Sequence, residues 1–209
     1  TTTGEANTAV GYQSQHSGTT GCKNTSFGAF ASTTNITGVN NVAMGWGALY
    51  TNKSNENVAI GMCSLYSNTT GVDNVAVGIC SLKSNTTGKC NVAIGKNALH
   101  NNTTGFNNVA IGRSAMYNNQ TGSFNVAIGK FAATQTKSNS NTAIGFEALA
   151  CNTTGCFNVA IGKDALKANT TGINNAAIGT DSLRANTIGT GNTAMGHIAL
   201  TSNTTGVDN

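Results

Sequence analysis

The sequence predicts an all-β fold, a β-solenoid, on three observations. The string NTTGFNNVAIGRSAM at residues 102–116 returns along the whole chain at a nearly fixed spacing. Its NVAIG core alternates β-branched with very small residues, which is the patterning of a strand. The period is too short for two packed helices and their turns. Each repeat is therefore one coil that buries an apolar face on its neighbours.

The Asn that opens the core falls at positions 7, 24, 41, 57, 74, 91, 108, 125, 141, 158, 175 and 192, a spacing of seventeen in nine steps and sixteen in two. The Gly four residues later is present in every copy, from Gly11 to Gly196. The twelve copies align with one another, so the chain reads as one continuous array over 1–209, with atypical coils at 1–32 and regular coils at 33–209. At about 4.8 Å per coil, twelve coils make a rod on the order of 58 Å long.

Within one coil, strand alternation puts Val109 and Ile111 on one face and Asn108, Ala110 and Gly112 on the other. The Ala110 position is Ala in eleven copies and Ser26 in the twelfth, and the Ala115 position is always Ala or Ser. Such uniform smallness predicts close approach, of the coil's two walls or of an adjacent subunit. The Ile111 position takes Ile, Val, Met and Phe27, as a stacked apolar ladder requires. The segment Ser114–Met116 supplies a second short strand or an irregular wall, and TTG turns the chain back. Asn at one phase can form a side-chain amide ladder from coil to coil, through Asn57, Asn74, Asn91, Asn108 and Asn125. Gly61, Gly78, Gly95, Gly112 and Gly129 run beside it.

Both sixteen-residue steps lose their residue in the turn, where Ser54 and Ser138 replace the glycine. Turns that project tolerate such deletions better than strands do. The first two coils carry Gln15 and Ser32 where Leu is usual, together with Phe27 and Phe30, which places them near an end of the array or against another surface. The chain opens on TTTG and stops at GVDN, both in mid-motif, and so reads as a window of a longer fibre.

Composition narrows the function classes. Proline is absent, only 9% of residues are charged, and 38% are hydrophobic, enough to bury apolar surface and to exclude simple disorder. The net charge of +4 is scattered without interleaved aromatics, which disfavours nucleic acid as a partner. No apolar run reaches the roughly 18–20 residues that span a bilayer. His16, His100 and His197 fall at different phases and the carboxylates are dispersed, so no nucleophile–base grouping points to an enzyme. No CxxC pair or histidine cluster points to zinc, Asp is too rare for calcium-binding repeats, and no cofactor is expected. Lys96, Arg113, Lys130 and Lys163 share one exposed phase after the glycine, either a solvated face or a mild basic edge for anionic glycans or surfaces.

The loop asparagines create N-x-[S/T] acceptors at Asn35, Asn52, Asn68, Asn85, Asn102, Asn119, Asn152, Asn169 and Asn203, with Asn24 and Asn101 outside that phase. On projecting turns of a secreted protein these would carry N-linked glycans as a ladder along one edge. NTTG is equally a good turn in its own right, because Asn caps its own backbone and Gly accepts positive φ. Six cysteines point to an oxidising compartment. Cys63 and Cys80 occupy one phase of consecutive coils, close enough for a disulfide, and Cys151 and Cys156 bracket a turn they could staple. Cys22 and Cys90 lie four coils apart, too far to join in a straight rod.

NVAIG and NTAIG resemble the head repeats of YadA-type trimeric autotransporter adhesins. The longer unit NTAIGFEALACNTTG, residues 141–155, is similar to shaft repeats of phage- and virus-type tail fibres. The resemblance spans essentially the whole chain. It implies a left-handed parallel β-roll, a homotrimer, and a place outside the cell or on a virion or cell surface. The expected function is an extracellular structural and adhesive fibre shaft, assembling laterally or end to end, with cell-surface or carbohydrate ligands and no membrane insertion. The alternative is a ligand-binding solenoid such as an ice-binding protein, which needs an uninterrupted rank of Thr on one face. Ile36, Lys53, Gln120 and Lys137 break that rank.

Overall fold

In the computed structural model, which describes residues 3–209, the chain contains twelve three-residue strands and no helix. They are β1 (Thr8–Val10), β2 (Thr25–Phe27), β3 (Val42–Met44), β4 (Val58–Ile60), β5 (Val75–Val77) and β6 (Val92–Ile94). The second half holds β7 (Val109–Ile111), β8 (Val126–Ile128), β9 (Thr142–Ile144), β10 (Val159–Ile161), β11 (Ala176–Ile178) and β12 (Thr193–Met195). All twelve form one parallel sheet in sequence order. Like stacks on like, as in Val109↔Val126, Ala110↔Ala127 and Ile111↔Ile128. The structure is the predicted β-solenoid.

The hydrogen-bond ladder does not stop at the strand ends. Around one coil, Val109 N–H donates to the Asn125 carbonyl at 2.8 Å and Gly112 N–H to Ile94 at 2.7 Å. Ser114 reaches Lys96 at 2.9 Å, Met116 reaches Ala132 at 3.0 Å, and Asn118 reaches Thr134 at 2.9 Å. Two bonds stay within the coil and shape its corners: Ala115 N–H to Gly112 at 3.3 Å and Asn119 N–H to Met116 at 3.2 Å. The Ser114–Met116 segment is thus an irregular wall of tight turns, not a second strand. Its residues alternate into the left-handed region, with φ of 57° at Ser114 and 49° at Met116. L-residues adopt that region only when their surroundings impose it. Here the inter-coil bonds on both sides do so.

Gly112 has a different reason for being glycine. Its φ is 127°, and a Cβ there would lie 2.7 Å from the Gly129 carbonyl oxygen. The same contact recurs at each strand glycine through Gly179, so this column cannot carry a side chain. The core is correspondingly thin. Ala or Ser at the strand centre, Ala or Ser at the second wall, and in most coils one Leu, for example Leu82, Leu99 and Leu149, with Met116 and Ala133 in its place in two coils, make up its apolar part. Gln15 and Ser32 fill the Leu position in the first two coils and are buried, and Gln15 Nε2 and Ser32 Oγ have no hydrogen-bond partner among the described residues. In the shortened third coil the Ser54 carbonyl accepts Asn41 Nδ2 at 2.8 Å, as the Gly38 carbonyl accepts Asn24 Nδ2. The residue lost is therefore the threonine before the glycine, and Ser54 takes the glycine's place. Among the described residues no helix is long and apolar enough to cross a membrane.

Candidate functional site

Two asparagine columns run inside the rod. At the strand entrance, Asn74 Nδ2 donates to Asn57 Oδ1 at 3.2 Å, Asn91 to Asn74 at 3.1 Å, Asn108 to Asn91 at 3.1 Å and Asn125 to Asn108 at 3.2 Å. The same Asn108 Nδ2 reaches the Gly122 carbonyl at 2.8 Å. The amide ladder expected at this phase is present. The second column was expected to point the other way. Asn35, Asn52, Asn68, Asn85, Asn102, Asn119, Asn152 and Asn169 are fully buried, and only Asn203 in the final coil is half-exposed.

This overturns the outward-facing turn asparagine. Asn85 Nδ2 donates to Asn68 Oδ1 at 2.8 Å and to the Gly88 carbonyl at 2.9 Å, which uses both of its hydrogens. That nitrogen is the atom a glycan would occupy, and it faces the core. A sugar on it would break two buried hydrogen bonds and has no room in the folded coil. Asn24 is buried in the first ladder, and Asn101 spends its amide on Asn118 Oδ1 at 2.9 Å. What projects from NTTG is the second threonine, as at Thr70 and Thr104. The first is half-buried in most coils, and its hydroxyl donates along the rod, as from Thr86 to the Thr103 carbonyl at 3.0 Å.

With Asn and Ala inside, the remaining strand residues face solvent. Each strand presents a half-exposed or exposed first residue, a buried Ala or Ser and an exposed or half-exposed third residue, except β1, which is exposed throughout. The Ile ladder is therefore external, and sequence reasoning left its side undecided. Val10, Phe27, Met44, Ile60, Ile94, Ile128, Ile178 and Met195 form an exposed column the length of the rod. Over the first coils it is joined by aromatics. Phe30 meets Tyr12 and Trp46 edge-on at 5.4 and 6.1 Å, and Tyr50 stacks on Tyr66 at 4.9 Å. The recurrence of Tyr at one phase in two neighbouring coils, Tyr50 and Tyr66, was the available signal for their stack.

The six cysteines are free thiols, so neither expected disulfide is formed. Cys63 and Cys80 do lie on neighbouring coils. Burial, then the adjacent Cys80, pushes the Cys63 thiol above its ordinary pKa. Cys151 is exposed and Cys156 half-buried. The turn they flank is closed instead from inside, by Asn152 Nδ2 on the Gly155 carbonyl at 2.8 Å. Cys22 accepts the Glu5 N–H at 3.4 Å and donates to the Thr20 carbonyl at 3.3 Å, while Cys90 is exposed. Among the described residues no group of three or more His, Cys, Asp or Glu could hold a metal ion. Of the basic phase, Lys163 pairs with Asp164 at 3.4 Å, whereas Lys96, Arg113 and Lys130 are exposed and have no ion pair among the described residues. Comparison with known protein families, curated proteins and solved structures finds no match for this chain.

Proposed function

We propose that the chain is a structural shaft: an extracellular, non-enzymatic fibre module whose role is reach, rigidity and surface contact. The observation that carries this reading is the external Val/Ile column. Twelve three-residue strands give it an area on the order of 500 Å², from about 4.8 Å per coil and 3.3 Å per residue. That is at the upper end of what soluble monomers leave uncovered. Because the same residue types recur at every rung, a second copy of the chain matches the column along its full length. Lateral association covers it, and three copies are the number implied by the resemblance to YadA-type heads and tail-fibre shafts, as is a left-handed coil. Coils whose backbone edges are open also favour end-to-end stacking into filaments. The turns then display threonine hydroxyls and the basic phase to whatever the fibre touches.

Sedimentation and electron microscopy test this together. Rods that sediment as trimers are expected, and an Ile94→Lys/Ile128→Lys variant should sediment as a monomer with unchanged circular dichroism. A wild-type chain that stays monomeric at micromolar concentration would overturn the lateral assembly. Compact particles in micrographs would overturn the shaft.

A further inference from the structure

The chain's positive charge is concentrated in its middle coils. Residues 74–146 hold six cations, Lys83, Lys89, Lys96, Arg113, Lys130 and Lys137, and no carboxylate; the rest of the chain holds seven carboxylates against five cations. Three of the six stand at one phase of consecutive coils. The strands before them are in register, Ile94↔Ile111↔Ile128, and the chain after them is too, with Ser114 N–H on the Lys96 carbonyl and Phe131 N–H on the Arg113 carbonyl. Lys96, Arg113 and Lys130 therefore rise in single coil steps of about 4.8 Å, three like charges within about 10 Å. All three are exposed, and none has a carboxylate partner among the described residues. Phe131 lies between two of them, with Arg113 Cζ 6.0 Å and Lys130 Nζ 5.0 Å from its ring centroid. Lys130 Nζ is also 5.8 Å from the Phe146 ring. These contacts hold the cationic groups in place over the surface.

We propose that this column binds an extended polyanionic polysaccharide, one carrying sulfate or carboxylate groups on successive sugars. A small anion engages one or two of the cations and leaves the rest unneutralised. A linear polymer with an anionic group at each short step can lie along the rod axis and meet all three. The exposed Ile94 and Ile128 run alongside, where the apolar faces of sugar rings can rest. A single-stranded nucleic acid would need free aromatic faces for its bases. Phe131 is half-buried with two cations over it, Phe146 has Lys130 over it, and Phe124 meets Phe106 edge-on on the far side of the strand that Lys130 follows, while the cluster of Tyr12 and Trp46 lies in the first three coils, which lack this column. The site concerns a ligand, not the assembly of the rod, and it stands whether the rod is a trimer or a monomer.

The test measures binding to an immobilised heparin oligosaccharide, with neutral dextran as the blank. Two variants remove the same charge from different phases: Lys96→Gln/Arg113→Gln/Lys130→Gln and Lys83→Gln/Lys89→Gln/Lys137→Gln. The wild-type chain should bind heparin, not dextran, with affinity that falls steeply as salt rises. The column variant should bind at least tenfold more weakly, and the other variant within about threefold of wild type. Circular dichroism and sedimentation of both should be unchanged, which separates lost binding from a lost shaft. If the triple variant fails to fold, the three single variants carry the test, each expected to bind about threefold more weakly. Equal losses in the two triple variants, no binding by the wild type, or competition by oligothymidylate as effective as by heparin would each overturn the proposal.

Discussion

At Thr136 the inner asparagine column is interrupted. Asn119 Oδ1 and Thr136 Oγ1 are both buried, and neither has a hydrogen-bond partner among the described residues. The other shortened coil shows that Asn fits this turn: Asn52 Nδ2 donates to the Ser54 carbonyl at 2.8 Å, and Asn52 Oδ1 accepts Asn68 Nδ2 at 2.7 Å. Thr136→Asn should restore the ladder and stabilise the rod by about 1 kcal/mol, the net value of a buried hydrogen bond gained. For a chain of this size that is a rise of about 2–4 °C in melting temperature. An unchanged or lower midpoint would show that the interruption costs the fold nothing. Gly112 gives the opposite expectation. Gly112→Ala must place a Cβ at φ 127° and 2.7 Å from a backbone oxygen, and it should cost about 3 kcal/mol or more. Gly47→Ala is the matched control. Its φ is 62°, its nearest neighbour is the movable Tyr66 ring at 3.2 Å, and other coils hold L-residues at that phase, so it should cost much less. Comparing the two by denaturant titration separates a close backbone contact from a merely left-handed one.

At the scale of the coil wall, the ninth and tenth coils carry a small charge network. Lys167 Nζ contacts Glu147 and lies 3.1 Å from Asp164, which also meets Lys163 at 3.4 Å. Burial works against the Asp164 charge, but the hydrogen bond and charge of Lys167, then those of Lys163, outweigh it and hold the carboxyl below its ordinary pKa. Glu147 first, then Asp164, raise that of Lys167. A depressed Asp164 stabilises above its unfolded pKa and loses that contribution as pH falls through the folded value. A raised Lys167 stabilises below its unfolded pKa and loses it as pH rises through the folded one. The network therefore acts on a plateau between about pH 4 and pH 10. With lysine heads partly in water, its worth is below about 1 kcal/mol. Asp164→Asn suits the left-handed backbone there, φ 57°, and isolates the charge. It should melt slightly below the wild type at pH 7, and the gap should narrow as pH falls below the ordinary carboxylate range. A gap that persists in acid would assign the effect to packing.

At the scale of the whole rod, every coil contacts only its neighbours in sequence, as the strand order shows. Stability is then a sum of coil and interface terms, and coils are interchangeable units. Removing residues 91–107 joins Cys90 to Asn108 with every phase preserved. The shortened chain should keep its circular dichroism and melt cooperatively, with small-angle scattering giving a rod shorter by about 4.8 Å. Removing residues 91–98 instead shifts every later ladder out of phase and should abolish the fold beyond the junction. Equal tolerance of the two deletions would mean that register is not what specifies the stack.

Much of this architecture was legible from the repeat itself. A fixed period, a strand-like core with small residues at set phases, and an Asn at each strand entrance determine a parallel stack in which identical residues meet. The Asn57–Asn125 and Gly61–Gly129 ladders follow from that stacking alone. Alternation along NVAIG defines two faces, but it does not say which is inside. Only the closed coil decides that. Seventeen residues folded through left-handed corners leave an interior that admits Ala, one Leu and flat amides, so Val109 and Ile111 go out and Asn108 comes in. The turn asparagine follows the same logic: a lone buried amide is costly, yet a column of them hydrogen-bonds from rung to rung, and that compensation exists only once neighbouring coils are in place. The glycan acceptors follow from the turn motif alone, and the stack is what turns those asparagines inward.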